Sequence, residues 1–185
     1  AGFAVTTGTN NTLIGANAGD AMNTGTRNVA VGKGALGVLT TGTDNVAIGS
    51  VDAAAAEVLG SNLTGGGNIA IGGGTLANYT ASNSIAIGYR ALKGATDGHT
   101  NLSVGNYAGD AITSGSYNVV IGKGADVASA TGSTQFIIGC GSSHWICGDS
   151  SFNIYDKDGN QLNGGGGGGG GVSQALVHAI HMTFG

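Results

Sequence analysis

A short apolar segment that ends in glycine recurs eight times along this chain of 185 residues, and it constrains the fold more than any other feature. Successive copies follow at a nearly constant interval, as from Gly15 to Gly32, and only the interval from Gly49 to Gly72 is clearly longer. Self-similarity at a fixed short period is typical of solenoids, in which each repeat forms one coil that packs on its neighbours. We therefore expect an all-β, parallel β-solenoid over residues 1–140, in about eight coils. The glycines that end the segments are Gly15, Gly32, Gly49, Gly72, Gly88, Gly105, Gly122 and Gly139.

Most segments alternate branched and small residues, as in Val46, Ala47 and Ile48, whereas Leu13, Val120 and Ile137 are larger middle residues. Alternation with a period of two predicts a β-strand whose two faces differ. Both faces are apolar here, so we expect both to be covered. One face would line the interior of the coil, and we expect the small-residue face to meet a neighbouring chain in an oligomer.

Composition excludes several classes of protein. The chain has 39 glycines, no proline and only 9% charged residues, which argues against both disorder and collagen. Its net charge of −4, with six lysines and arginines in total, gives no basic surface for nucleic acid. No apolar run approaches the roughly 20 residues of a membrane-spanning helix, so no membrane insertion is expected. Ala1 falls within a copy of the repeat, which predicts a segment of a longer protein.

Two further columns of residues appear when the copies are aligned on the final glycine. A side-chain amide recurs four residues before that glycine. It predicts a stacked ladder in which each side-chain carbonyl accepts a hydrogen bond from the next rung. Ser84 and Gln135 replace it in two copies. Glycines seven residues earlier, for example Gly25 and Gly115, predict turns with positive φ. The ladder residues are Asn11, Asn28, Asn45, Asn68, Asn101 and Asn118.

Four stretches carry a family resemblance: residues 28–36 (NVAVGKGAL), 45–49 (NVAIG), 68–72 (NIAIG) and 84–92 (SIAIGYRAL). They resemble the head repeats of YadA-like trimeric autotransporter adhesins, which also occur in bacteriophage tail fibres. The resemblance implies a left-handed parallel β-roll, a homotrimer and a role in adhesion. Residues 142–162 are similar to the strand-turn endings of such repeats in tail fibres of phages, particularly cyanobacterial ones.

The resemblance therefore favours a non-enzymatic fibre segment in the virion tail that attaches to a glycan or protein receptor on the host surface. The alternatives are the head of a bacterial trimeric adhesin at the cell surface and a purely structural extracellular filament. No catalytic motif is present, and Glu57 is the only glutamate, so neither an enzyme nor a cofactor is expected.

The C-terminal part of the chain divides into three pieces. Residues 141–163 predict a capping β segment, with Trp145 and Phe152 expected to cover the open end of the solenoid. Residues 164–171 are a polyglycine linker, and residues 172–185 form a tail with a helical pattern. Residues 52–59, in the longest copy of the repeat, predict a short protruding helix.

Candidate binding residues fall into two groups. Exposed aromatic and arginine side chains on a rigid scaffold are typical ligand contacts. Metal binding has only weak candidates, because the set of Cys140, His144 and Cys147 lacks a fourth ligand and is better explained by two small buried thiols than by zinc or a disulfide. His178 and His181 would form rings about a three-fold axis, although packing or exposure explains them better. The expected ligand contacts are Tyr79, Tyr89, Arg90, Tyr107 and Tyr117.

Overall fold

A computed structural model describes residues 1–51, 56–148, 154–156, 158 and 160–162. Over these residues the protein is all-β, with no helix and a single sheet of ten strands in chain order. Strands β1 to β8 pair in parallel, and β9 and β10 then pair antiparallel. The strands are β1 (Thr12–Ile14), β2 (Val29–Val31), β3 (Val46–Ile48), β4 (Ile69–Ile71), β5 (Ile85–Ile87), β6 (Leu102–Val104), β7 (Val119–Ile121), β8 (Phe136–Cys140), β9 (Ser143–Gly148) and β10 (Ile154–Asp156).

The eight parallel strands define a β-solenoid, because each strand pairs only with the equivalent strands of the coils before and after it. The register is constant: Val29, Ala30 and Val31 lie beside Val46, Ala47 and Ile48, and the pattern continues through β8. The predicted solenoid is therefore confirmed. The eight parallel strands enclose about seven turns, in line with the expected number of about eight coils.

The middle residue of each strand, small in most of them, points into the coil, so the expectation that the small-residue face meets a neighbouring chain is wrong. Ala30, Ala47, Ala70 and Ala86 are fully buried, whereas the branched residues beside them are half-buried or exposed. The physical reason is volume, since each coil is filled by large side chains from its other wall. Those side chains are Met22, Leu36, Leu39, Leu59, Leu76, Leu92 and Ile112.

Volumes inside a coil are balanced between its two walls. Leu13 replaces the usual alanine in the first coil, and Gly19 then replaces the usual leucine opposite it. A Cβ at Gly19 would lie only 2.7 Å from Leu13 Cδ2. Ser103 and Gly109 form a smaller pair, in which Ser103 Oγ is buried with no hydrogen-bond partner among the described residues. A narrow core of this kind is close-packed by pairwise compensation.

The glycines seven residues before the strand glycine do not have the positive φ that the sequence predicts. A Cβ at Gly25 would lie 2.7 Å from the carbonyl oxygen of Gly42 in the next coil, so close approach of two backbones requires glycine here. The left-handed turn comes two residues later, at Arg27 (φ 56°) and Asp44 (φ 59°), and equally at Tyr117 (φ 59°). Side chains are tolerated there because that corner faces solvent.

A β-hairpin ends the solenoid. Strand β9 pairs along the free edge of β8, which hides the edge that the last coil would otherwise leave open. The expectation that Trp145 covers this end is wrong, because it is 62% exposed and strand pairing already covers the edge. Phe152, the polyglycine run, the tail with His178 and His181, and the first part of the predicted helix (52–55) lie outside the described residues. Residues 56–59 are described and are not helical.

Candidate interaction surface

The asparagine column forms a hydrogen-bonded ladder through the interior of the solenoid. Asn28 Oδ1 accepts from the backbone N–H of Asn45 (3.0 Å) and from its Nδ2 (3.1 Å). Asn28 Nδ2 donates to the carbonyl oxygen of Gly42, in the same following coil, at 2.9 Å. Most rungs from Asn11 to Asn118 repeat this arrangement. Each buried amide thus joins two coils through both of its polar atoms, which stiffens the rod.

In the shortest coil Ser84 replaces the ladder asparagine, and a tyrosine hydroxyl joins the hydrogen bonding there. Ser84 Oγ accepts the backbone N–H of Asn101 (3.0 Å), and the hydroxyl of Tyr79 lies 2.6 Å from Ser84 Oγ and 3.1 Å from the carbonyl oxygen of Ser82. Burial raises the pKa of Tyr79, an effect partly offset by the hydrogen bond to Ser84. Tyr79 is fully buried, so its prediction as an exposed ligand contact is wrong.

Gln135 ends the ladder. Its backbone N–H donates to Asn118 Oδ1 (2.8 Å), as the asparagines do. Its longer side chain folds back onto its own coil, where Nε2 donates to the carbonyls of Ser129 (2.8 Å) and Gly132 (2.9 Å), while Oε1 accepts from Ser129 N–H (3.0 Å). The last rung therefore satisfies its own polar atoms without a further coil.

The branched residues of the strands form two parallel rows on the outside of the sheet, and we call this surface the outward face. Its exposed members include Ile14 (57%), Ile48, Ile87 and Ile121. From β1 to β9 the rows contain no charged side chain, and Asp156 of β10 pairs with Ile146 at the end of one row. One row consists of Ile14, Val31, Ile48, Ile71, Ile87, Val104, Ile121, Ile138, Ile146 and Asp156; the other consists of Thr12, Val29, Val46, Ile69, Ile85, Leu102, Val119, Phe136, Gly148 and Ile154.

One corner beside the outward face carries a tyrosine-arginine cluster directly after strands β5 and β6. The rings of Tyr89 and Tyr107 meet edge to face with centroids 5.4 Å apart, and the guanidinium of Arg90 lies 5.2 Å from the Tyr89 centroid. Tyr107 is exposed, whereas Tyr89 and Arg90 are half-buried. The structure thus brings three of the five predicted contact residues together.

The opposite corner, directly before the strands, carries the fourth predicted contact. Tyr117 is 54% exposed, and its ring meets the ring of His99 edge to face with centroids 5.0 Å apart. In the same column Arg27 and Asp44 form a two-pronged ion pair (2.6 and 2.9 Å), and this hydrogen bonding lowers the pKa of the Asp44 carboxyl. Sequence reasoning misses His99 and the ion pair, although alignment of the copies places all three residues at the exposed corner.

Cys140, His144 and Cys147 do not form a metal centre. Neither cysteine is in a disulfide, and no group of three potential metal ligands occurs in the part of the chain that the structure describes. Cys140 is exposed at the end of β8, so its prediction as a buried thiol is wrong; it lies where the hairpin turns back. Cys147 is partly buried against Ile137 and lines a cavity of about 490 Å³ together with His144.

Comparison with family models, with curated proteins and with solved structures found no match for this chain. Within the described ranges, no helix is long and apolar enough to cross a membrane. The molecule is thus defined as a parallel β-solenoid with one apolar face, uncharged from β1 to β9, and aromatic corners on either side of it.

Proposed function

We propose that this chain is a segment of a non-enzymatic homotrimeric fibre that attaches to a host cell surface, as a bacteriophage tail fibre does. The observation that carries the proposal is the outward face. Its uncharged part extends over the nine strands β1 to β9, roughly 38 Å at about 4.8 Å per strand. Apolar strips of this extent on soluble proteins mark interaction surfaces.

Other copies of the same chain are the partners that this face fits best. The face repeats one chemistry along the whole rod, so a second rod with the same spacing matches it along its full length. A cyclic arrangement lets each copy bury its face against two others and leaves none exposed. The resemblance to trimeric head repeats supports three copies.

The arrangement supports attachment rather than catalysis. The buried ladder gives a stiff rod, and a trimer presents every surface site three times, which raises avidity without any new contact. The sites that we assign to receptor contact are the tyrosine-arginine corner (Tyr89, Arg90, Tyr107) and Tyr117 at the other corner. A bacterial adhesin head is the alternative, since it would use the same rod and the same corners.

Light scattering tests the assembly. We expect a species near three times 17.8 kDa for the chain. Ile87→Glu, in the middle of the outward face, should give a folded monomer, because burying an unpaired carboxylate between copies is unfavourable. The matched control is Thr24→Glu, an exposed corner residue, which should stay trimeric. A monomeric wild-type protein would overturn the proposed assembly.

Attachment is tested with the fluorescently labelled trimer on intact bacteria and on immobilised collagen and fibronectin. Tyr107→Ala and Tyr117→Ala should each weaken binding about tenfold, the usual effect of losing an interface aromatic. Thr24→Ala is the control and should not change binding. Binding to bacterial surface polysaccharide supports the tail fibre, and binding to matrix proteins supports the adhesin. Unchanged binding by both tyrosine variants would contradict the assignment of the corners.

A further inference from the structure

The corner that directly follows the strands carries charged residues of one sign only. It is formed by the two residues after each strand glycine, and these positions hold Lys33, Arg90 and Lys123 but no aspartate or glutamate. The chain as a whole has a net charge of −4. At the opposite corner, Arg27 is paired with Asp44. The tyrosine-arginine corner therefore lies in a positively charged column of an acidic chain.

Lys123 belongs to the same surface as the tyrosine pair. Tyr89, Asn106 and Lys123 follow one another in successive coils, because the backbone N–H of Tyr107 donates to the Tyr89 carbonyl and that of Gly124 donates to the Asn106 carbonyl. At about 4.8 Å per coil, Lys123 lies roughly 10 Å along the rod from Tyr89. Lys123 is exposed and forms no ion pair with a described residue. Its ammonium group is thus available to a ligand that contacts the tyrosines.

Lys33 lies in the same column but beside a carboxylate. It is three coils before Tyr89, and the side chain of Glu57 lies over the backbone next to it, since a Cβ at Gly34 would be 3.0 Å from Glu57 Oε1. The positive charge of Lys33 is therefore partly offset by its surroundings. This difference makes Lys33 a matched control for Lys123.

The tyrosine-arginine corner combines a stacked guanidinium with an exposed aromatic ring. The guanidinium of Arg90 lies over the Tyr89 ring, and a stacked guanidinium is held ready to pair with a carboxylate through its planar fork of N–H donors. Tyr107 is 37% exposed and lies one coil further along the rod. An exposed ring offers an apolar face to the C–H groups of a sugar ring. The corner thus offers contacts for both the charge and the ring of an acidic sugar.

We infer that the tyrosine-arginine corner, extended by Lys123, binds an acidic polysaccharide. Arg90 and Lys123 pair with carboxylates of the sugar chain, and Tyr107 packs on a sugar ring between them. The inference rests on the proposed attachment function and names the class of receptor. Two cations roughly 10 Å apart suit a polymer with one carboxylate per sugar, whereas the denser phosphates of nucleic acid need more positive groups.

Binding of the full chain to immobilised polygalacturonate tests the class of ligand. The control ligand is polygalacturonate whose carboxyl groups have been reduced to alcohols, which keeps the sugar chain and removes its charge. We expect at least about tenfold weaker binding to the reduced polymer. Raising the salt concentration from about 0.15 M to about 0.5 M should weaken binding to the charged polymer only. Equal binding to the two polymers, or binding to neither, would overturn the inference.

Substitutions at the corner locate the site. Arg90→Gln and Lys123→Gln should each weaken binding to polygalacturonate about tenfold, and Arg90→Lys should recover part of the loss because it keeps the charge but not the planar fork. Lys33→Gln removes the same charge from the same column and should leave binding unchanged. Each variant is compared with the wild-type protein at equal mass by light scattering. A loss in Lys33→Gln equal to that in Lys123→Gln would show that net charge, and not the corner, attracts the polymer.

Binding of the labelled variants to intact bacteria separates this inference from the proposed function. We expect Arg90→Gln and Lys123→Gln to weaken that binding together with Tyr107→Ala. Binding that Tyr107→Ala weakens and that both charge variants leave unchanged would overturn the acidic ligand and leave attachment through the corner intact. A wild-type protein that binds neither bacteria, nor matrix proteins, nor polygalacturonate would overturn both.

Discussion

Replacing Gly115 with alanine should lower the free energy of unfolding by about 3–4 kcal/mol, or prevent folding. A Cβ at this position would lie closer than 3.0 Å to the carbonyl oxygen of Gly132 and 2.9 Å from Asn118 Nδ2. Both atoms belong to the ladder that joins the coils, so neither has room to move. Urea denaturation followed by circular dichroism, at one fixed protein concentration, measures the loss.

Gly141→Ala is the matched control. Gly141 has a positive φ of 57°, but a Cβ there would meet nothing within 4 Å. We expect a cost of only about 1 kcal/mol, the conformational penalty of alanine in the left-handed region. Equal losses for the two variants would mean that glycine is needed for its backbone conformation in both places, and that close approach between coils is not the constraint.

These two glycines show why the repeat predicted the solenoid but not its corners. The regular period of the repeat and the alternation within each segment were sufficient to place eight strands in parallel register. A recurring glycine, by contrast, has the same signature whether it supplies positive φ or lets two backbones approach. Arg27 and Tyr117 carry the positive φ instead, which no propensity rule would predict for such side chains.

The two faces of the strands were equally hard to assign from hydrophobicity alone. Ala47 and Ile48 are both apolar, and only the volume left by Leu36 and Leu59 on the opposite wall decides that the alanine points inward. This matching of side-chain volumes involves positions that are far apart within the repeat. The sequence indicates correctly that both faces of the strands must be covered. It does not indicate which face is covered within the chain itself.

The sequence analysis misplaces Tyr79 because the coil that contains it is one residue shorter than most other coils. Counted back from Gly88, it aligns with exposed positions, yet the backbone N–H of Thr80 donates to the carbonyl of Thr96, which moves Tyr79 into the column of Ala95. That column is interior and includes Met22 and Leu39 in other coils. The corners were better predicted, since Tyr107 and Tyr117 lie in columns whose residue types vary freely from copy to copy.

Asn45→Ala should cost about 3–5 kcal/mol of unfolding free energy, since it leaves two buried backbone groups without partners. Asn45 Oδ1 accepts the backbone N–H of Asn68 (3.1 Å), and Asn45 Nδ2 donates to the carbonyl oxygen of Gly65 (2.9 Å). Alanine supplies neither atom. Thermal and urea unfolding at fixed protein concentration measure the effect.

Asn45→Ser separates the two hydrogen bonds of the rung. Ser84 shows that a serine hydroxyl at this position accepts the backbone N–H of the next coil at 3.0 Å, so serine should recover part of the loss and leave the Gly65 carbonyl unpaired. Asn78→Ala is the exposed control: its Nδ2 donates to the Lys93 carbonyl at 3.2 Å, and its loss should cost under about 0.5 kcal/mol. If Asn45→Ala proved no more costly than Asn78→Ala, the rod would owe its stability to strand pairing and packing, and the ladder would serve only to satisfy polar atoms that water could satisfy as well.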